Sequence, residues 1–244
     1  MIGRMRELTE LIEVEDPAWP ELQALFAECP IPLTVLAPDA QESARGLWQL
    51  QVTARSMLGG LTLNCGGLLV DDGWVRVFGG GSGRDGNLPS LAQVNGFPET
   101  FDPAWQAAAG LIVAHDVLGG VFALNGMDPA GAGRPGQPGQ MIYFAPDTLQ
   151  WEALEIGHSA WLGWLLSERL DGFYSALRWE GWREEAAAAG PAEGISVFPF
   201  LWTKEAKDVA TTSWRTVPMS GVLGISADFA QQMGVGDPGF LGLV

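Results

Sequence analysis

A chain of 244 residues can bury most of its apolar surface in one or two domains without disulfides or a structural metal. Acidic residues outnumber basic residues 29 to 13, giving a formal net charge of −16. This balance disfavours nucleic-acid binding, because a phosphate backbone is bound by clustered Lys and Arg, and the lysines are Lys204 and Lys207 alone. It also disfavours an anionic membrane surface and is consistent with a basic protein partner or with simple colloidal solubility.

The cysteines and the N-terminus indicate a compartment. Cys29 and Cys65 are far apart and form no C-x-x-C motif, so a reducing environment is expected. The first residues contain arginines but no apolar segment of the signal-peptide type. We therefore expect a cytoplasmic protein.

Helices are predicted at the start of the chain. Apolar residues at helical spacing predict a first helix at Leu8–Ile12. Asp16 and Pro17 are typical of the start of a second helix, and Asp39 of the start of a third. A short apolar run between the last two predicts a strand at Leu33–Leu36.

The middle of the chain is predicted to form an antiparallel sheet. Short apolar runs alternate there with turn-forming Asp and Gly pairs, and turn-length connections cannot join parallel strands. The predicted strands are residues 61–64, 68–70, 74–78, 111–115, 121–125, 141–144 and 149–154.

Helical spacing returns after the predicted sheet. Ser159 is the predicted cap of a helix, and further helices are expected at residues 170–177 and 182–189 and after Ser220. Pro199 restricts residues 195–202 to an edge strand or an extended segment. The predicted fold class is α+β, a mostly antiparallel twisted sheet of meander hairpins flanked by N-terminal and C-terminal helices. Residues 1–178 are the predicted core and residues 179–244 an extension packed on it, as a single domain overall.

Motifs for enzyme chemistry are incomplete. Residues 81–86 match G-x-G-x-x-G, but Pro89 follows where a dinucleotide site needs a helix. Trp161 stands where a nucleophile elbow around Ser159 needs glycine. Glu152 and Glu155 could form a glycosidase pair, but the tryptophans are better explained as core residues. His and Cys are too dispersed for a metal site. We expect no catalytic residues, metal or cofactor.

Two site hypotheses from different functional classes remain. In the first, the protein binds a protein partner, such as a basic toxin, through acidic strand turns. The residues expected to form this contact surface are Asp71, Asp72, Trp74, Asp116 and Asp147.

The alternative is a small-ligand-binding protein or hydrolase. Its cleft would gather His115, Glu152 and His158, the two histidines of the chain and a nearby carboxylate. A third possibility is an accessory domain that only oligomerises.

Several segments resemble a bacterial family of unknown function. They include ELIEVEDPAWPELQ, LQVTARSMLGGLTLNCGGLLVDDGWVRVFGGGSG, YFAPDTLQWEALEIGHSAWLGWLL and GISVFPFLWTKE. More distantly, residues 111–166 resemble the SUKH superfamily in the turn from Asp116 to Gly120, the strand with Tyr143 and the helix after Ser159. That resemblance implies a non-enzymatic binder of the toxin-immunity or cell-wall-regulator type.

Overall fold

The computed structural model describes residues 5–82, 88–105, 107 and 109–244. The last part of the G-x-G-x-x-G match, residues 83–86, lies outside this described part of the chain.

The described residues form one large antiparallel sheet in which the strands follow the order of the sequence. This arrangement confirms the predicted α+β class with an antiparallel meander. The connections are short between β2 and β3, between β4 and β5, and between β6 and β7, where Asp and Gly residues supply the turns. The strands are β1 (Leu33–Leu36), β2 (Gly67–Val70), β3 (Val75–Phe78), β4 (Gly110–Asp116), β5 (Val121–Asn125), β6 (Gln140–Ala145) and β7 (Gln150–Gly157).

Helices precede and interrupt the first strands: α1 (Leu8–Ile12), α2 (Trp19–Ala27), α3 (Ala40–Leu50) and α4 (Met57–Asn64). Asp39 caps α3 as predicted, accepting the N–H groups of Gln41 and Glu42. The predicted start of the second helix is wrong, because Ala18 is the N-cap of α2 and Asp16 lies before it.

The strand predicted at residues 61–64 is also wrong, because these residues end α4. Ser56 caps this helix by accepting the N–H of Gly59 at 3.0 Å. Most of α4 is buried, so its sequence lacks the polar face that reveals a surface helix. A short buried helix and a buried strand then have the same apolar pattern.

The remaining helices are α5 (Leu91–Val94), α6 (His158–Leu165), α7 (Arg169–Tyr174), α8 (Trp182–Ala188) and α9 (Met219–Gln232). Strand β7 leads directly into α6, with Gly157 as the N-cap. Ser159 therefore lies inside the first turn and is not the cap that the sequence predicted.

A two-stranded ribbon follows the helices. It pairs β8 (Glu193–Phe198) with β9 (Ser213–Pro218), and only β8 was expected from the sequence. The backbone N–H of Ile195 donates to the carbonyl of Val117 at 2.6 Å, which joins the ribbon to the turn after β4. Pro199 lies just beyond β8, after a cis peptide bond with Phe198.

Aromatic side chains fill the core. Trp74, Phe122, Phe144, Trp161 and Tyr174 are among the largest fully buried side chains. Phe122 packs against Trp161, with ring centroids 5.4 Å apart, and so links β5 to α6. Core packing, the predicted use of most tryptophans, is confirmed for the buried Trp161 and Trp179.

Candidate functional site

Asp116 lies at the centre of a buried polar network at the end of β4. Its Oδ1 accepts the backbone N–H groups of Leu118 at 2.9 Å and Gly120 at 2.8 Å. Its Oδ2 accepts the hydroxyls of Tyr143 at 2.7 Å and Tyr174 at 2.9 Å. These are the two tyrosines of the chain. Four donors around one carboxylate are expected where a charge is buried, because an unpaired charge there is costly.

The electrostatics of Asp116 reflect this burial. Burial raises the pKa of Asp116, and the hydrogen bonds from Tyr143, Gly120, Tyr174 and Leu118 act in the opposite direction. The pKa values of both tyrosines are raised well above the usual value, mainly by burial and next by the charge of Asp116. The network fixes the β4–β5 turn and presents no group to solvent.

Asp71 and Asp72 form the turn between β2 and β3, and both have positive φ, 53° and 57°. Asp71 is only 2% exposed. Its carboxylate pairs with Arg178 at 2.6 Å and with Arg183 at 2.6 Å. Arg183 also bridges to Asp72 at 2.8 Å, so the turn is tied to the region around α8.

Trp74 is buried beside this ion-pair network. Its ring lies edge-on to Trp182, with centroids 5.0 Å apart, and to Tyr174, with centroids 5.5 Å apart. The guanidinium of Arg178 lies 3.8 Å from the Trp182 ring centroid. The aromatic rings therefore cover the ion pair between Arg178 and Asp71.

The expected acidic contact surface needs correction. The side chains of Asp71, Trp74 and Asp116 are buried. The two carboxylates bond to groups of the fold and Trp74 packs in the core, so none of the three is available to a partner. Asp72 keeps 34% of its side chain exposed, and Asp147 is exposed. The sequence did not reveal Arg178, Arg183 or the two tyrosines as partners of these carboxylates.

Two residues of the alternative cleft, His115 and Glu152, are not brought together. His115, Val121, Phe144 and Trp151 are cross-strand partners in successive pairs from β4 to β7, so they share one face of the sheet. Glu152 follows Trp151 and therefore points to the other face. The sheet separates His115 from Glu152, and one pocket cannot contain both.

Both histidines are buried and neutral at pH 7. Burial lowers the pKa of each to about 4. The Nε2 of His115 lies 2.9 Å from the carbonyl oxygen of Leu241, so it must be the protonated nitrogen that donates there. Neither ring nitrogen of His158 has a partner among the residues that the structure describes. The surroundings of both are those of core histidines.

Three exposed acidic groups lie at the outer strand of the sheet. In the described part of the chain, β7 is paired only with β6. Asp147 lies in the turn before β7, and Glu152 and Glu155 lie along the strand, all three exposed. Burial, and next the charge of Asp147, raise the pKa of Glu152. We call Asp147, Glu152 and Glu155 the acidic edge.

The acidic edge includes a backbone irregularity. Gln140 pairs with Gly157 while Ile142 pairs with Ala153, so β7 has extra residues opposite β6. Glu155 lies in this bulge with a φ of 58°. Bulges and charged side chains are common ways to keep an edge strand from pairing with copies of itself.

The described residues contain no group of three or more His, Cys, Asp or Glu side chains placed to hold a metal ion. In the same residues, none of the helices combines the length and apolar character required to cross a membrane.

Comparisons with known proteins place the chain in a family. It is 38% identical over 200 residues to the uncharacterized protein YbfG of Escherichia coli (strain K12), covering 82% of this chain and 87% of that protein. It is 29% identical over 197 residues to an uncharacterized protein of Haemophilus influenzae (strain ATCC 51907 / DSM 11121 / KW20 / Rd), covering 80% and 81%. No solved structure matches. The model of the family described as "Protein of unknown function DUF2625" matches residues 8–222, and the chain therefore belongs to that family.

Proposed function

We propose that this protein acts by binding another protein, as a non-enzymatic factor of the immunity or regulatory type, and that the acidic edge is its contact surface. The observation that carries the proposal is the outer strand β7, which is paired on one side in the described residues and carries three exposed carboxylates. The buried carboxylates of Asp71 and Asp116 stabilise turns of the fold and form no part of this surface.

An edge strand offers two kinds of recognition. Its free N–H and C=O groups can pair with an extended segment of a partner, and its side chains decide which partner is accepted. A basic partner fits β7, because lysine or arginine would neutralise Asp147, Glu152 and Glu155 at once. Another copy of the same acidic strand would be repelled.

The charge of the whole molecule supports the same partner. With a net charge of −16, the protein attracts a basic protein from a distance, which speeds association at low ionic strength. Among the described residues, the sheet separates His115 from Glu152, which removes this pairing from the alternative cleft.

Capture from lysate with matched variants tests the proposal. Tagged wild-type protein would be compared with the double variant Asp147→Lys, Glu152→Lys and with the control Glu15→Lys, Glu28→Lys. The control alters two exposed N-terminal glutamates and changes the net charge equally. We expect wild type and control to retain a basic protein at near-stoichiometric amounts and low salt, and the β7 variant to lose it. Equal capture by all three proteins, or no such partner, would contradict the proposal.

A further inference from the structure

A cavity of about 460 Å³ lies between the loop after β5, the start of β7 and the C-terminal segment, residues 234–244. Its walls include Arg134 from the loop, Leu149 and Trp151 from the β7 side, and Val235 and Pro238 from the C-terminal segment. A volume of this size is within the range of small-molecule pockets, roughly 300–1,000 Å³.

The C-terminal segment is held over this region by its backbone carbonyls. The indole N–H of Trp151 donates to the carbonyl of Pro238 at 3.0 Å. Arg134 donates from Nη2 to the carbonyl of Phe240 at 3.0 Å, and His115 donates to that of Leu241. The family match ends at residue 222, so these three side chains belong to the family region and the segment that they bind does not.

Arg134 is the unusual group in the cavity wall. It is only 6% exposed, and its guanidinium carbon lies 3.6 Å from the centroid of the Trp151 ring. Its Nη1 is buried without an acceptor, and no carboxylate pairs with the guanidinium among the described residues. A buried charge normally has an opposite charge or a full set of acceptors, and Arg134 has one carbonyl.

Other buried arginines of this chain show the usual arrangement. Arg178 pairs with Asp71 and Asp171. Arg76 donates to the carbonyls of Ala189 and Glu193 and also has Asp116 nearby to offset its burial. Burial lowers the pKa of Arg134 to about 10, and the group remains positive at pH 7. Arg134 thus has neither an ion pair nor a carboxylate that offsets its burial among the described residues.

We propose that the cavity binds a small organic anion whose carboxylate or phosphate group accepts hydrogen bonds from Arg134. A planar guanidinium suits either anion, because it offers two parallel N–H groups. Leu149, Val235 and Pro238 provide an apolar wall for the rest of the molecule. Asp237 also lines the cavity and accepts the N–H of Gly239. Because its carboxylate repels an anion, we expect the anionic group of the ligand on the side of Arg134.

Access to Nη1 requires a small movement, because this atom has almost no exposed surface. One hydrogen bond, from Nη2 to Phe240, joins Arg134 to the C-terminal segment. We expect the anion to replace that carbonyl as an acceptor while the segment shifts. This proposal does not rest on the protein-binding function proposed above, although the cavity shares the start of β7 with that surface, and its test alters none of the acidic-edge residues.

Titration calorimetry on the full chain tests the site with two probes, sodium phosphate and sodium benzoate, against sodium chloride of equal ionic strength. Saturable binding of phosphate assigns a phosphate ligand, and saturable binding of benzoate a planar carboxylate. Arg134→Gln is expected to weaken this binding about tenfold or more, since it removes a charge-assisted pair. The control Arg55→Gln alters an exposed arginine paired with Asp16 and should bind as wild type does.

A second variant covers the case in which Arg134→Gln fails to fold. Ala130 is exposed and lines the cavity, so Ala130→Trp fills the space without changing a contact of Arg134. We expect it to fold and to lose the binding. The proposal is overturned if neither probe binds the wild type more tightly than chloride, or if Ala130→Trp binds the probe as tightly as the wild type.

Discussion

At the scale of single residues, two acidic side chains are buried and form hydrogen bonds and ion pairs inside the protein. Asp71 and Asp116 lie in turns whose sequences are typical of solvent-exposed loops, yet both are buried. The fold supplies their partners from distant positions: Tyr174 lies 58 residues from Asp116 along the chain, and Arg183 lies 112 from Asp71. The sequence could have indicated one of these networks, because a buried carboxylate needs donors and the chain has two tyrosines.

Removing one hydroxyl from the Asp116 network is expected to destabilise the protein. Tyr174→Phe keeps the ring but takes away a donor to Oδ2 of a buried carboxylate. We expect the free energy of unfolding to fall by about 1–3 kcal/mol in urea titrations. Ser175→Ala, at an exposed neighbouring position, is the control and should change it by less than about 0.5 kcal/mol. Equal stability of Tyr174→Phe and the wild type would show that the hydroxyl contributes nothing.

The buried histidines make stability depend on pH. The pKa of His158 is about 4 in the folded protein, below its ordinary value of 6.5, so the unfolded chain binds more protons between these values. The stability contributed by neutral His158 is therefore complete above pH 6.5 and is lost as the pH falls toward 4. The slope is at most ~1.4 kcal/mol per pH unit.

His158→Phe tests this dependence, because phenylalanine cannot titrate and can still pack against Trp161. The unfolding free energies of variant and wild type would be compared at several pH values from 7.5 to about 4.5. We expect the variant to gain stability relative to the wild type as the pH falls. A difference that stays constant over this range would contradict the assigned shift.

Among the elements, strands were more predictable than helices. Strands β2 to β7 follow a regular alternation of apolar runs and turn residues, and the sequence located each of them to within a few residues. The helix α4 was mistaken for a strand because it is largely buried. In the described residues β9 pairs with β8 alone, and the exposed residues along it leave no clear apolar pattern. The sequence therefore did not reveal this strand.

The β4–β5 turn should be sensitive to a single methyl group. A Cβ at Gly120 would overlap the carboxylate of Asp116 and the hydroxyl of Tyr143. Gly120→Ala is therefore expected to lower the free energy of unfolding by about 1–3 kcal/mol. Gly163→Ala is the control: it lies inside α6 with open space around the added methyl group, and it should be neutral or stabilising by about 0.5–1 kcal/mol. Similar stability of the two variants would contradict this account of the turn.

For the whole molecule, the net charge and the strand order both support β7 as the proposed contact surface. The charge of −16 is consistent with a basic partner or with solubility alone, and it could not say which carboxylates remain exposed. That depends on the sheet order, which leaves β7 outermost in the described residues. There, partial burial and next the charge of Asp147 raise the pKa of Glu152. The resemblance to the SUKH superfamily stays a prediction, as does a cytoplasmic location.

Binding at the acidic edge should depend strongly on salt. Screening shortens the reach of the carboxylates to about 8–10 Å at physiological ionic strength. We expect the affinity of the captured partner to fall with added salt for the wild type. For the variant Asp147→Lys, Glu152→Lys, the affinity should be weaker and less sensitive to salt. Equal salt dependence in both proteins, measured by titration calorimetry, would place the contact elsewhere.

Hydrogen–deuterium exchange on the complex with the captured partner tests whether the partner binds along the free edge of β7. The backbone groups of Gln150–Gly157 on the side away from β6 become hydrogen-bonded if the partner adds to the edge of the sheet. We predict slower exchange in β7 on binding, with the buried β4 unchanged. Unchanged exchange in β7, together with protection in another part of the chain, would show that β7 is not the contact surface.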